Sequence, residues 1–154
     1  MTVTFGKGNE MSANDNHPLP APLVGTWKLR MSRPITNLPP FLALHTYFSD
    51  GTMIETTSEL GKGGEGPGHG VWEEAGEDFA GTFELFLFSD CGEFTGTARV
   101  RTAIHLNDPD HISGQATVDL ISPDGRIDPN IDISPFEGIR IKIGSSVFSG
   151  FLPR

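Results

Sequence analysis

His45 and Tyr47 are the residues whose types and spacing best suit chemistry. They stand two apart in FLALHTYFSD, and on a β-strand residues two apart share one face. An imidazole titrates near neutrality, so it can take or give a proton, and a neighbouring phenol can share in the transfer. His69, at the end of the glycine-rich run GKGGEGPGHG (residues 61–70), is the second acid–base candidate. For each histidine the alternative is a hydrogen-bonded core residue. His17 lies ahead of the domain, His111 falls in a turn, and His105 shares a solvated face with Arg99 and Arg101.

Asp50-Gly51 follows directly and signals a two-residue hairpin, because glycine accepts positive φ. Such a turn pairs Ser49 with Thr52, Tyr47 with Ile54, His45 with Thr56 and Thr46 with Glu55. On that register His45, Tyr47 and Thr56 line an interior, and Glu55 points outward. Trp27, Trp72, Phe83 and Leu85 complete the expected ligand-binding set.

The remaining candidates carry less. Asp50, Asp90, Asp108, Asp110 and Asp124 fall in turns, where carboxylates cap N–H groups. Glu84 is expected on a wet outer face, and Asp119, opposite its strand's apolar face, is expected exposed. There is no His-x-His, no cysteine pair and no HExxH, so no metal is expected. The glycine-rich run lacks GxxxxGK[ST] and reads as a portal or lid; no cofactor is implied.

These residues need strands to hold them. Strand patterns occupy 24–31, 41–49, 52–57, 70–75, 79–89, 94–106, 112–122, 126–133 and 138–147, with turn residues between them. No segment reads as a helix of ten residues. Nineteen glycines and 12 prolines suit short strands joined by tight turns. Alternation is cleanest at Ala98, Val100, Ile104 and Leu106, and at Ile112, Ala116, Val118 and Leu120. Pairing Leu106 with Ile112 puts both apolar sets on one face and leaves His111 in the loop. The segments around Phe83–Phe88 and Phe41–Phe48 are apolar on both faces. Either a homodimer or the folded-back N-terminus covers the outer one, or the two form an ordinary sandwich core.

The chain's 154 residues suit one domain, read as a disordered tail over 1–22 and a β-domain over 23–154. A formal net charge of −9 counts against nucleic acid and anionic membranes, which demand a basic patch. Cys91 is the only cysteine, and no signal-type stretch opens the sequence, so a reducing, cytoplasmic setting is expected.

Val24-Gly25-Thr26-Trp27 carries a Gly-x-Trp on the first strand, echoed by Gly70-Val71-Trp72. With ALHTYFSDGTMIE, TFELFLF, VRTAIHL and SGQATVDLISPDG, it resembles small bacterial lipocalin-like (calycin-like) proteins, mostly of unassigned activity, over about residues 23–125. The resemblance implies an all-β, antiparallel up-and-down barrel of about eight strands, with Trp27 plugging one end. The chain departs from secreted lipocalins in having no disulfides, and from haem-binding barrels in having no axial histidine near its end. The expected function is binding of a small apolar or aromatic metabolite. The alternatives are a cofactor-independent isomerase, cyclase or lyase using His45, His69 and Tyr47, and a structural or regulatory homodimer.

Overall fold

The computed structural model describes residues 21–59 and 64–144. Most of the tail expected over 1–22 thus lies outside the described residues, as does the end of the chain beyond 144. Eight strands follow one another: β1 (Gly25–Met31), β2 (Phe41–Tyr47), β3 (Thr52–Thr57), β4 (Gly68–Ala75), β5 (Asp78–Phe88), β6 (Phe94–Asp108), β7 (His111–Ile121) and β8 (Ile127–Arg140). Each pairs antiparallel with the next, and β8 returns to β1, closing an up-and-down barrel of the lipocalin-like kind. No helix among the described residues is long and apolar enough to cross a membrane.

Period-two patterning explains the wall. In β6, Ala98, Val100, Thr102 and Ile104 are buried while Arg101, Ala103 and His105 are exposed. Leu106 pairs with Ile112, as the alternation requires. The ladder then continues through a register shift to Asp108 and His111, so His111 opens β7 rather than lying in a loop. Asp108 holds this tight turn by accepting the Asp110 N–H at 2.8 Å and a contact from His111 Nδ1.

The sequence suggests two strands after residue 125; among the described residues there is one, β8, and the end of the second, 145–147, lies outside them. Pro135 marks the expected break, yet β8 runs through it. Its carbonyl accepts the Ser32 N–H at 2.8 Å, so the position of its missing N–H faces the same side, where β1 has already ended. Further back, Val118 pairs with Asp132 and Leu120 with Asp128, so β8 bulges between them. Asp119 secures the bulge, accepting the N–H of Asn130 (φ 53°) at 2.9 Å and Arg101 Nη2 at 2.7 Å. It is therefore buried, contrary to the exposure expected of it.

One end of the barrel is packed solid. Trp27, Leu23, Leu29 and Ile112 are fully or almost fully buried there. The Trp27 indole N–H donates to the Leu23 carbonyl at 2.9 Å, and the Arg140 guanidinium lies 4.1 Å over the indole ring. Arg140 also donates to the carbonyls of Val24 and Pro109, each at 2.8 Å, tying the start of the barrel to the β6–β7 turn. The Gly-x-Trp spacing now has a physical reason. Gly25 sits at φ 132°, and a Cβ there would come within 2.7 Å of Arg140 Nη1. Gly25→Ala is expected to cost about 1–3 kcal/mol of stability, read as a lowered urea midpoint with an unchanged slope.

Candidate functional site

The β2–β3 turn decides what faces the interior. Phe48 N–H donates to the Thr52 carbonyl at 3.0 Å, and Gly51 N–H donates to the Phe48 carbonyl at 3.2 Å. The loop therefore has three residues, 49–51, with Gly51 left-handed at φ 85°. Asp50 Oδ1 accepts the Thr52 N–H at 2.9 Å, and the Trp72 indole donates to the Phe48 carbonyl at 2.9 Å. The extra loop residue moves the register by one from the two-residue expectation. Tyr47 faces Met53, His45 faces Glu55, and Leu44 faces Thr56. Glu55 consequently shares the interior with His45 and Tyr47, and Thr56 is on the outer face. Both reverse the sequence expectation, because a one-residue slip exchanges the two faces of a strand.

His69 is also misplaced by the sequence reading. It lies within β4, opposite Ile54 and Glu84, and is exposed on the outer wall. Gly68 and Gly70 take the inward positions around it. A Cβ on Gly68 would come 2.7 Å from Glu55 Oε2 and 2.8 Å from Phe83 Cδ2, and one on Gly70 would run into the Thr82 carbonyl. The end of the glycine-rich run is thus wall that makes room for Glu55, not a lid.

Above the solid end, an aromatic layer crosses the barrel. His45 meets Phe83 edge-on with centroids 5.5 Å apart, and Tyr47 meets Trp72 likewise at 6.0 Å. The Tyr47 hydroxyl and His45 Nδ1 share a hydrogen bond of 2.9 Å. Beyond this layer the barrel opens into a cavity of about 340 Å³. Phe83, Leu85, Ala98, Val100 and Ala116 supply its apolar wall, and His45 and Glu55 lie at its inner end. Trp27 and Trp72 belong to the packed layers rather than the cavity lining. Two other hollows, around Lys28 and Ile139 and around Ala103 and Gln115, open on the outer wall.

The mouth is acidic. Glu59, Glu65 and Asp132 line it along with Arg33. Arg33 stacks 4.2 Å over the Phe41 ring and pairs with Glu59 at 2.7 Å. Glu65 accepts the Thr57 hydroxyl at 3.0 Å. Glu55 differs from these carboxylates. It is 2 % exposed, and among the described residues its Oε2 is the only buried side-chain nitrogen or oxygen without a hydrogen-bond partner. Such an atom bears an uncompensated desolvation cost.

Burial sets the protonation states. It lowers His45 to about 4, because a charged imidazolium has lost its water. It raises the Tyr47 phenol, with the Glu55 charge adding to the effect. It lifts Glu55 to about 8, reinforced by the Glu65 charge and partly opposed by the Gly68 amide. Burial also raises Glu65, against the donation from Thr57. At pH 7 the inner end therefore presents a neutral imidazole, backed by the neutral Tyr47 phenol in the packed layer, and a mainly protonated carboxyl. Among the described residues, no group of three or more His, Cys, Asp or Glu side chains could hold a metal ion.

Of the residues singled out from sequence, the structure brings His45, Phe83 and Leu85 to the cavity lining, with Tyr47 behind His45 in the packed layer. It does not bring His69 or Thr56 there. Glu55, Glu65 and Arg33 were missed; the only available signal for Glu55 was its two-residue spacing from the inward Met53. The chain matches no protein-family model, no curated protein and no solved structure.

The raised Glu55 has a sign-definite consequence. Between about pH 4.5 and 8 the folded carboxyl keeps a proton that the unfolded chain has released. Stability from this group is fully present below about 4.5 and is lost as pH rises towards 8. His45 acts oppositely between about 4 and 6.5, gaining stability as pH rises. The difference between wild type and Glu55→Gln isolates the carboxyl. The wild type should lose on the order of 3 kcal/mol relative to Glu55→Gln across that window, measured by urea unfolding at stepped pH.

Proposed function

We propose that this chain binds a small, mainly apolar molecule inside its barrel. The observation that carries the reading is the cavity itself, apolar along its wall and ending on a buried carboxyl with an unpartnered oxygen. Its volume of about 340 Å³ lies at the small end of ordinary ligand sites, room for a ligand of one or two rings. The closed eight-stranded architecture, with Trp27 sealing one end, also supports kinship with lipocalin-like barrels. The exposed Cys91 thiol fits a reducing, cytoplasmic setting.

Binding is favoured over acid–base turnover by the state of the His45–Tyr47 pair. The two touch, but burial leaves His45 a weak base at about 4 and Tyr47 a weaker acid than a free phenol. General acid–base work is most efficient when these values lie near the working pH. At neutral pH the pair serves better as a fixed polar platform beneath a ligand.

A second copy of the chain is the partner proposed for the outer wall. Leu42 and Leu44 on β2 and Ile139 on β8 point away from the cavity and are 43 %, 44 % and 54 % exposed. Lys28 stands between Leu44 and Ile139 in the register, and its stem continues the apolar strip. Leu44→Glu should convert a dimer to a monomer in sedimentation velocity; a wild type that sediments as a monomer at all concentrations refutes the pairing.

Cavity binding is testable with N-phenyl-1-naphthylamine, whose fluorescence rises in apolar surroundings. The wild type should bind it saturably. Ala98→Phe, which fills the wall opposite Leu85, should weaken binding at least about tenfold while the far-ultraviolet spectrum stays unchanged. Equal binding by both proteins would place the probe elsewhere.

A further inference from the structure

We infer that the ligand of this cavity carries a positively charged amine, seated against Glu55, with its apolar body on Phe83 and Leu85. The inference rests on the cavity-binding reading and deepens it by naming the ligand's charge.

Its first support is the unpartnered oxygen. Glu55 lines the cavity, and its Oε2 is buried without a hydrogen-bond partner of ordinary geometry among the described residues. Gly68 is the small residue that lets the carboxyl sit there, since a Cβ on it would come 2.7 Å from Oε2. A buried acceptor without a partner, on a residue that lines a cavity, fits a donor supplied from outside.

Charge balance is the second, independent support. Among the described residues, the charged and titratable groups facing Glu55 are few. His45 and Tyr47 on β2 are neutral at pH 7, and β4 contributes only the Gly68 amide. Glu65 stands beyond β3 and raises Glu55 by repulsion, and Glu59 lies further out. Asp132 lies on β8, while the lining side chains of β5, β6 and β7 are apolar. Against these four carboxyl groups the described lining has one cation, Arg33, already paired with Glu59. An anionic head would meet uncompensated repulsion, and a neutral one would leave the acidic excess in place. An ammonium relieves both Glu55 and Glu65, and its N–H groups suit the free oxygen.

The proton balance of binding follows. At pH 7 Glu55 is mainly protonated and the amine is an ammonium, so forming the pair releases one proton from Glu55 to solvent. Affinity for an amine therefore rises with pH up to about 8, by up to tenfold per unit. A neutral ligand accepting a hydrogen bond from the protonated carboxyl follows the opposite trend.

Three matched probes separate these cases: 1-naphthylmethylamine, 1-naphthalenemethanol and 1-naphthoate, titrated calorimetrically into the full chain at pH 6, 7 and 8. Repeating pH 7 in buffers of different ionisation enthalpy counts released protons. The expected result is at least tenfold preference for the amine at pH 7, release of close to one proton, and affinity rising with pH. Glu55→Gln should bring the amine down to the level of the alcohol. Glu65→Gln, at the mouth, should weaken the amine less. If the alcohol or the naphthoate binds as well as the amine in the wild type, the charged head is overturned and the binding cavity stands. If none of the three binds, both fall. The wild-type pH series decides the matter even if Glu55→Gln does not fold.

Discussion

Closing eight strands into a barrel leaves each wall side chain two destinations, inside or outside. Because every strand is paired on both edges, no strand can shift alone without disturbing two ladders. Register parity therefore governs the whole molecule. It sends Trp27, Leu29 and Ile104 into the core and Arg101 and His105 out to water. One loop residue is enough to change an inner surface. The three-residue β2–β3 turn, held by Gly51 and by the Trp72 indole, turns Glu55 inward.

Side-chain size then divides the interior. Large aromatic and aliphatic groups fill one end, and Arg140 locks that end by stacking on Trp27 and binding carbonyls from separate segments. Towards the other end Ala43, Ala98 and Ala116 stand among the larger inward side chains, with Gly68 beside Glu55. Small residues on facing strands leave volume that the rigid wall cannot collapse to fill. The cavity is thus a consequence of where the small residues fall around a closed sheet.

The same burial that builds the cavity tunes its chemistry. Removing water neutralises His45 and Tyr47 and holds a proton on Glu55 at neutral pH. The inner end becomes a place of polar but uncharged groups, while Glu59, Glu65 and Asp132 keep the mouth acidic. Under the proposed reading, that potential and shape suit a ligand with an apolar body. Among the described residues, Glu55 Oε2 is the buried side-chain acceptor left without a partner.

Much of the fold was legible in the sequence. Alternation along β6 and β7 identified the inner face and the Leu106–Ile112 pairing, because period two is a local property of strands. The Phe- and Leu-rich β5 correctly supplied Phe83 and Leu85 to the interior, and the Gly-x-Trp marked the sealed end. Turn aspartates were legible too, since Asp50, Asp108 and Asp124 cap N–H groups within two residues. What the tertiary structure alone decided was the set of partners across strands. Asp50-Gly51 is compatible with a two- or a three-residue turn, and only pairing with the neighbouring strands selects the longer one. That choice put Glu55 beside His45 and turned Thr56 away. Likewise His69 faces outward because flanking glycines are needed against Glu55 and Phe83, contacts made between different strands. Local sequence records periodicity and turn chemistry, whereas burial, charge balance and free volume arise only when distant strands meet.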